Sequence, residues 1–395
     1  MTHAKNHTKP RLYFIDFARS VAIIMMLEGH FTGAALANEY RDSSFWLYSF
    51  WHNLHGLTSP LFFTTSGLIF VYLLTGAKAE TPFLENERVR KGFKRVLELL
   101  FWGYAIQFSF FTLGKDLYYG SGFHLEWFFA FHVLQSIGMG IFLLLCLYGL
   151  KKLLRVGAMH WYYLIGAMIV LMSYAFLKSY IQTDESSIAA GAKPLYWPKA
   201  APVFIQNMFY GPFSDFGILR YSSYVLLGGC IGSIVRTYEH YSKKGWFCLS
   251  FVLLGVLLNF VQPVLASFDN LLESTHVLKN SVFELDTTHF ARFGQVLVVL
   301  GTLMMLDSRY NINFPRFLKM GQNTFPIYVV HVIILYGGII GIGLVPFVFE
   351  KNLSPYASAG ISLMAICFFF IMTQYIETLE AYYNRVLIFL RIKKA

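Results

Sequence analysis

The first long hydrophobic stretch of the chain, Leu12 to Ala37, contains four ionisable residues, although a membrane span normally contains none. They are Asp16, Arg19, Glu28 and His30. An ionisable side chain inside a membrane is costly, and it usually faces a packed interior or a water-filled cavity. These residues are therefore candidates for chemistry. An imidazole can accept a proton near neutral pH, and a guanidinium can hold a phosphate or a carboxylate.

The spacing places three of these residues on one helical face. Arg19 and His30 are eleven residues apart, which at ~100° per residue is three turns plus about 20°. The same spacing separates them by about 16 Å along the helix axis. Asp16 precedes Arg19 by three residues and lies on the same stripe, whereas Glu28 points to nearly the opposite side. The face of Asp16, Arg19 and His30 is the first candidate functional surface.

Further polar residues occur before the second hydrophobic stretch and late in the chain. The candidates for catalysis are His30, His52 and Arg19. The candidates for substrate binding are Asp16, Glu28, His55, Ser66, Arg292, Gln322, Asn323, Tyr328 and His331. For most of them the competing explanation is a hydrogen bond between packed helices. For Asp16 and Arg19 it is a structural ion pair, and Arg292 could pair with Asp286 or Glu28 instead of holding a ligand.

The composition excludes a typical soluble protein. Of 395 residues, 56% are hydrophobic and only 14% are charged, and apolar runs of about 20 residues recur along the chain. We expect an all-α polytopic membrane protein that forms one domain, 1–395. The ten predicted spans are 12–37, 56–76, 97–114, 127–150, 158–180, 216–236, 246–267, 290–307, 322–346 and 357–381. The apolar segment 202–212 is too short to cross and is predicted to be interfacial or re-entrant.

The net charge of +10 has a topological explanation and does not indicate nucleic-acid binding. Basic residues collect in alternate loops, for example around 88–95, 151–155 and 309–319, whereas the loops between them are mixed or acidic. This alternation is the positive-inside pattern of membrane proteins. It predicts that both termini are cytoplasmic, as an even number of spans requires.

The cysteines and the short catalytic motifs exclude several classes of site. The four cysteines lie within or beside predicted spans and form no CxxC pair, so no structural disulfide, zinc site or other metal site is expected. The chain also has no Walker A loop or HExxH motif. A bound phosphate donor would therefore meet Lys and Arg side chains and helix N-termini.

Three motifs together resemble the integral-membrane acyltransferase superfamily. The first is Arg19 followed by ten residues and His30. The others are HNLHGLTSPLFFTTSGLIF at 52–70 and LKMGQNTFPIYVVHVIILYG at 318–337. The last two are more similar to the heparan-alpha-glucosaminide N-acetyltransferase-like branch than to the acyltransferase-3 branch. The resemblance implies a membrane enzyme, most simply an acetyltransferase. It would take an acyl group from cytoplasmic acetyl-CoA or another acyl-CoA and pass it to an extracytoplasmic glycan, amine or hydroxyl.

The resemblance also implies roles for individual residues. Arg19 would face a cytoplasmic cavity for acyl-CoA, and a histidine would act as base or carry the acyl group. His30 resembles the acyltransferase-3 histidine, whereas the glucosaminide branch is expected to use a histidine after the first span, here His52 or His55. The choice among them stays open at this point. Ser20 departs from the pattern, because both branches usually have glycine there.

Two other functions compete with acyl transfer. A secondary transporter or lipid flippase could use Asp16, Arg19, Glu28 and His30 as an ion relay, although the paired repeats of many transporters are not evident. A membrane scaffold would gain little from the cost of buried charge. For the enzyme, the expected partners are acyl-CoA, a glycan or lipid-linked acceptor and membrane lipids. A bacterial inner membrane is the expected location, and the oligomeric state, with a homodimer among the options, stays open.

Overall fold

The computed structural model describes most of the chain as helices joined by short connections. The described residues are 12–76, 81–120, 127–182, 197–198, 200–213, 215–261, 263–264, 267, 282–345, 349–379 and 381–382, without the side chains of 127, 178–182 and 282–287. The α-helices of this part, in chain order, are α1 Tyr13–Ala35, α2 Trp46–His55, α3 Thr58–Leu74, α4 Glu87–Ala105, α5 Phe110–Tyr119, α6 Val133–Leu154, α7 Met159–Gln182, α8 Val203–Phe209, α9 Ile218–Thr237, α10 Gly245–Asn259, α11 Val282–Tyr310, α12 Pro315–Gln322, α13 Thr324–Tyr336 and α14 Pro355–Gln374. The predicted all-α class is confirmed.

Six of the described helical segments are long and apolar enough to cross a membrane. They are Trp46–Leu74, Val133–Leu154, Met159–Leu177, Ile218–Thr237, Thr288–Tyr310 and Pro355–Gln374, and two shorter apolar helices are α10 and α13. Helix α1 has 23 residues and contains the charged Asp16, Arg19 and Glu28. These features indicate an integral membrane protein. Each of the ten predicted spans overlaps a described helix, and the crossing of all ten stays a prediction.

Contacts between the helices define two ends of the bundle. At one end, α1 and α13 begin and α11 finishes, and the backbone N–H of Phe14 donates to Oδ2 of Asp307 at 3.2 Å. This contact satisfies one of the free N–H groups at the start of α1. At the other end, α1, α4 and α13 finish while α3, α6 and α9 begin. We call the first the basic end and the second the histidine end, from the residues that each contains.

Lysine and arginine side chains concentrate at the basic end, as the sequence predicts. Those in the described helices and connections there are Arg19, Arg88, Arg90, Lys91, Lys94, Arg95, Lys151, Lys152, Arg155, Arg236, Lys243, Lys244, Arg309, Arg316 and Lys319. The basic residues of the two termini, and most of the segments 181–203 and 268–289 between predicted spans, lie outside the described residues.

The connection between the first two predicted spans, 38–55, is helical over its second half, which the sequence did not predict. Helix α2 occupies Trp46–His55 and runs almost directly into α3. Its aromatic residues resemble a boundary loop in the sequence, but the indole Nε1 of Trp51 donates to the Glu28 carboxylate at 2.8 Å. This hydrogen bond to α1 draws the segment onto the bundle, where it continues as a helix.

Three predicted spans, 97–114, 246–267 and 322–346, end earlier than expected, and one cause explains the first and the last of them. Helix α4 starts at Glu87, where Asn86 caps it, and stops at Ala105 instead of continuing to 114. Helix α13 stops at Tyr336 and does not continue to 346, because the next residue, Gly337, has a left-handed backbone conformation with φ 77°. The chain segments beyond the two helices then pair with each other. The N–H of Phe110 donates to the carbonyl of Ile339 at 2.9 Å, and the N–H of Ile339 donates to the carbonyl of Phe108 at 2.8 Å. This pairing satisfies backbone groups that the two helices no longer satisfy.

Helices α3 and α9 approach each other closely through glycines. A Cβ at Gly67 would overlap the carbonyl oxygen of Val225, and a Cβ at Gly228 would overlap the carbonyl oxygen of Thr64. In a membrane, where lipid is as apolar as leucine, such close backbone contact is a main source of helix association. Glycine is therefore required by packing at these positions.

Ser20 links α1 to α12 at the basic end. Its hydroxyl is fully buried, accepts the N–H of Gly321 at 2.9 Å and lies 2.8 Å from the carbonyl oxygen of Phe317. Gly321 itself has no room for a Cβ, which would overlap the carbonyl oxygen of Asp16. The serine that departs from the family pattern therefore forms a polar contact between two closely packed segments.

We expect Gly228→Ala to destabilise the protein by ~1–3 kcal/mol, because the added methyl group must push α9 away from α3. Thermal unfolding of the purified protein in detergent should show a lower apparent Tm. Gly360→Ala on α14 is the matched control, since a Cβ there meets nothing within 4 Å. It should leave Tm unchanged or raise it slightly. Equal unfolding curves for the two variants would contradict the close approach.

Candidate functional site

A cavity of about 660 Å³ lies at the histidine end, between α1, α3, α4, α6 and α13. Its volume is in the usual range for small-molecule sites. The polar residues that line it are His30, His55, Thr58, Ser59, Gln107, Ser109, Thr112, His132, Gln135, Asp215, Tyr328, His331 and Tyr336. We call it the histidine cavity. Within the part of the chain that the structure describes, no group of three His, Cys, Asp or Glu side chains is arranged to hold a metal ion.

Four polar atoms of the lining residues are buried without a protein hydrogen-bond partner. They are Nδ1 of His55, Oγ1 of Thr58, Oε1 of Gln107 and Nε2 of His331. A buried polar atom without a partner costs about 1–3 kcal/mol, so such atoms normally bind water or a ligand. Their concentration around one cavity indicates a site for a polar molecule.

His30 and His331 lie side by side, and the ring of Tyr336 packs edge-on against His30. The ring centroids of the two histidines are 5.2 Å apart, and Nδ1 of His30 is 2.9 Å from the hydroxyl oxygen of Tyr336. Tyr328 packs edge-on against His331 with centroids 5.0 Å apart. Tyr328 and His331, three residues apart, thus share a face of α13, and through His331 this face contacts α1.

The hydrogen bond of His331 determines which of its nitrogens can act as a base. Its Nδ1 is 3.3 Å from the carbonyl oxygen of Ile327. A carbonyl only accepts, so Nδ1 carries the proton and Nε2 of the neutral ring keeps its lone pair. For His30 the partner is a hydroxyl group, which can donate or accept. If the Tyr336 hydroxyl accepts from Nδ1–H, Nε2 of His30 is free to take a proton.

His55 enters the cavity because α1 leaves room for it. A Cβ at Gly29 would overlap the His55 ring, so only glycine permits this packing. The other face of the His55 ring stacks on Trp51 with centroids 5.7 Å apart and an interplanar angle of 4°. Glu28 accepts hydrogen bonds from Nε1 of Trp51 at 2.8 Å and from Oγ1 of Thr32 at 2.9 Å. Glu28 therefore positions the Trp51–His55 stack from the side of α1 opposite to His30.

The wall formed by α6 contributes a second polar pair. Nδ1 of His132 is 3.5 Å from Oδ2 of Asp215. Gln135 accepts the N–H of His132 at 3.3 Å and donates to the carbonyl of Ala130 at 3.4 Å. The carboxylate of Asp215 thus lies beside an imidazole of the cavity.

Arg19 belongs to a separate polar cluster at the basic end. Its guanidinium donates to Oγ1 of Thr324 at 3.0 Å and lies 3.8 Å from the Asp16 carboxylate. Nε2 of Gln322 donates to the same carboxylate at 3.3 Å. Beside this cluster, the Arg95 guanidinium lies over the ring of Phe325 at 4.4 Å from its centroid. Asp16, Arg19 and Gln322 thus form one cluster. Asp16 and Arg19 are an ion pair, and the Arg19 side chain stays partly exposed.

Other candidates from the sequence lie outside the histidine cavity. His52 is exposed and stacks on Tyr48 with centroids 5.9 Å apart. Arg292 donates to the carbonyl of Asn53 at 2.7 Å and to Oε1 of Gln295 at 3.0 Å, and it thereby holds the end of α2. The Ser66 hydroxyl donates to the carbonyl of Phe62 at 2.7 Å, and the amide of Asn323 donates to the carbonyl of Lys319 at 2.8 Å.

Nine of the thirteen polar residues that line the cavity were not among the candidates from the sequence, and Gln107 and Tyr336 are two of them. Gln107 is a polar residue inside a predicted span, which is a signal that the sequence does contain. Tyr336 is five residues after His331 and does not share its helical face in a regular α-helix. Its contact with His30 depends on the place where α13 ends, which the sequence pattern does not indicate.

The comparisons with known proteins identify one family. The family model described as "Heparan-alpha-glucosaminide N-acetyltransferase, catalytic" matches residues 11–259, more than half of the chain. The match includes α1 to α10, with His30, His52 and His55, whereas α13 lies beyond it. No curated protein matches the chain. The family match favours the transferase hypothesis over the transport hypothesis.

We expect Glu28→Ala to loosen α2, because the indole of Trp51 and the hydroxyl of Thr32 lose a charged acceptor. A charged hydrogen bond contributes about 1.5–3 kcal/mol, so amide hydrogen exchange in residues 46–55 should become about ten- to a hundredfold faster. Glu28→Gln keeps an oxygen acceptor and should retain more protection. Equal exchange in the two variants would show that this hydrogen bond does not hold α2.

Proposed function

Because the chain belongs to the family of the heparan-alpha-glucosaminide N-acetyltransferase catalytic domain, we propose that it transfers an acyl group from acyl-CoA to an extracytoplasmic acceptor. An acetyltransferase-type enzyme of the membrane follows from the family and from the six apolar helices. The donor, the acceptor and the roles of individual residues are part of the proposal. It is carried by one observation, the cavity in which His30, His55 and His331 meet beside unpaired polar atoms.

The donor binds from the basic end in this proposal. An acyl-CoA carries phosphates, which favour guanidinium and ammonium groups. Arg19, with 19% of its side chain exposed, is available for part of that role while it also pairs with Asp16. The positive-inside pattern makes the basic end cytoplasmic, where acyl-CoA is made. Both termini are then cytoplasmic, and a bacterial inner membrane is the proposed location.

The acyl group reacts at the histidine end. Arg19 and His30 share a face of α1, about 16 Å apart along the axis at 1.5 Å per residue. The flexible arm of the donor would span this distance and bring its thioester to His30. The acceptor is proposed to be the amine or hydroxyl of a glycan or a lipid-linked sugar outside the cytoplasm.

His30 is the proposed general base. The acceptor N–H or O–H transfers its proton to Nε2 of His30 while its nitrogen or oxygen attacks the thioester carbonyl carbon. A new C–N or C–O bond forms, the C–S bond breaks, and the CoA thiolate takes the proton back from the imidazolium. Tyr336 holds the His30 ring through Nδ1, at 2.9 Å. His55 and His331 provide further polar atoms for the two substrates.

A covalent route through the same histidine is chemically possible and experimentally distinct. Nε2 of His30 would attack the thioester itself, release CoA and hold the acyl group until the acceptor removes it. The direct route needs both substrates bound together, whereas the covalent route leaves the label of the donor on the protein.

We expect His30→Ala to lower the rate of CoA release from acetyl-CoA by about 10²–10⁴-fold, the usual contribution of a general base. His52→Ala should keep most of the activity, because His52 lies outside the cavity. The measurement is free thiol released by purified protein in detergent, with and without acceptor, and unfolding curves confirm that both variants are folded. Unchanged turnover in His30→Ala would exclude the assigned role.

Radiolabelled acetyl-CoA separates the two routes in the same preparation. Label that stays on the denatured protein, and is lost in His30→Ala, would establish the covalent route. CoA release without retained label would support direct transfer. If the folded protein neither binds acetyl-CoA nor releases CoA, the enzyme proposal fails.

We expect Arg19→Gln to raise the KM for acetyl-CoA by about tenfold or more, because it removes a cation from the proposed path of the donor phosphates. Arg90→Gln, which removes the same charge from an exposed position of α4 at the same end, is the control and should have a smaller effect. A change confined to thermal stability, with the KM unaltered, would instead assign Arg19 a structural role.

A further inference from the structure

Helix α4 exposes a stripe of four side chains that is basic near the start of the helix and apolar further along. They are Arg90, Lys94, Leu97 and Phe101. At ~100° per residue, the four side chains lie within about 60° of one another around the helix axis. All four are exposed, whereas the buried Val96 and Gly103 lie on the other side of α4. The stripe therefore points away from the helix bundle.

The order of the residues along the stripe indicates where the acyl chains of the membrane begin. Leu97 and Phe101 are 68% and 66% exposed, which in a membrane protein indicates contact with acyl chains. At ~1.5 Å per residue, Lys94 precedes Leu97 by about 4.5 Å along the helix axis, and Arg90 precedes it by about 10 Å. Both cations therefore lie at the depth of the lipid headgroups that border the acyl chains.

Helix α6 brings further cations to the start of α4. The last turn of α6 and the residue after it contain Lys151, Lys152 and Arg155. Nζ of Lys152 donates to the carbonyl of Thr81, shortly before α4, at 3.2 Å. Phe142 of α6 packs against Phe93 of α4 with ring centroids 6.5 Å apart. The start of α4 and the end of α6 therefore form one surface, which we call the basic surface.

The acidic residues nearby do not neutralise the basic surface. Residues 81–105 and 148–155 contain eight basic and three acidic side chains, which gives a net charge of +5. Two of the three carboxylates are already paired, since Glu87 lies 2.6 Å from Lys91 and Glu98 lies 2.8 Å from Arg95. The two cations of the stripe have no carboxylate partner among the described residues. Their charge is therefore available to an anion from outside the protein.

The stripe is separate from the polar cluster that contains Arg19. Arg95, whose guanidinium lies over the Phe325 ring beside that cluster, follows Arg90 by five residues and lies ~140° away around α4. A soluble phosphate compound would gain nothing from the exposed Leu97 and Phe101. Cations that continue into exposed apolar side chains fit a molecule with both a phosphate group and acyl chains.

We propose that the basic surface binds an anionic phospholipid, with its phosphate on Arg90 and Lys94 and an acyl chain along Leu97 and Phe101. Guanidinium and ammonium groups donate to phosphate oxygens. Clusters of Lys and Arg at the cytoplasmic ends of membrane helices attract anionic headgroups. This inference does not depend on the proposed acyl transfer.

The bound lipid would hold α4 at a fixed depth in the membrane. Interfacial anchors of this kind contribute to the depth and tilt of a helix. The other end of α4 lines the histidine cavity with Gly103 and Ile106. A lipid at the start of α4 would therefore act on the position of one wall of that cavity.

The test measures lipid binding to the full chain in detergent by native mass spectrometry. The probes are dioleoylphosphatidylglycerol, which is anionic, and dioleoylphosphatidylcholine, which has the same acyl chains and no net charge. Arg90→Gln combined with Lys94→Gln removes the two charges of the stripe. The matched control, Arg309→Gln combined with Arg316→Gln, removes the same charge from exposed positions of α11 and α12 at the same end. A third variant, Arg90→Lys combined with Lys94→Arg, keeps both charges.

We expect the parent protein to bind phosphatidylglycerol about tenfold or more tightly than phosphatidylcholine, because each cation near a headgroup contributes about a fivefold factor. The glutamine variant of the stripe should bind phosphatidylglycerol about tenfold or more weakly and keep its affinity for phosphatidylcholine. The control on α11 and α12 and the variant that keeps both charges should match the parent protein within about twofold.

Three results would overturn the proposal. Equal affinity of the parent protein for the two lipids would exclude a headgroup site. An equal loss of phosphatidylglycerol binding in the control on α11 and α12 would indicate a diffuse attraction to the net charge. Displacement of phosphatidylglycerol from the parent protein by CoA would assign the stripe to the phosphates of CoA. Unfolding curves check that the variants are folded, and if the glutamine variant is not, the lipid preference and the CoA competition of the parent protein decide.

Discussion

The cost of placing ionisable groups inside the bundle is the constraint that organises this protein. The polar face of α1 needs polar partners along its length, and α13 supplies them because the two helices run in the same direction. Thr324 meets Arg19 at the basic end, and His331 meets His30 at the histidine end. Thr324, Tyr328 and His331 are spaced by four and three residues, which places them on one face of α13. The candidate site is therefore a junction between two polar faces in an apolar bundle.

The remaining helices fix the position of this junction and leave a cavity beside it. Ser20 and Gly321 allow α12 to contact α1, and Asp307 caps the start of α1 from α11. At the other end, the paired segments after α4 and α13 take the place of the expected helical continuation of each span, and they form part of the cavity wall. Regular helices there would satisfy the backbone groups equally well but would fill the space. The irregular backbone thus lines a cavity, which is where membrane proteins tolerate it.

Local patterns in the sequence predict the part of the site that lies on single helices. Helical spacing is enough to place Arg19 and His30 on one face and Tyr328 beside His331. Apolar length is enough to identify the helices. The length of apolar runs does not predict that α2 is helical, because the hydrogen bond from Trp51 to Glu28 joins residues on different helices. The pairs His132–Asp215 and His30–Tyr336 are also invisible in the sequence, since their members are 83 and 306 residues apart. Such contacts depend on how the helices pack, and no local spacing encodes them.

The geometry also bears on the orientation of the proposed base. Nδ1 of His30 is 2.9 Å from the hydroxyl oxygen of Tyr336, so this hydroxyl holds the imidazole ring before any substrate arrives. For the proposed acyl transfer, such preorganisation would lower the barrier without further movement of the protein. The same proposal accounts for the cost of the buried polar residues of α1, because they lead from the Arg19 guanidinium at the basic end to the His30 imidazole at the histidine end.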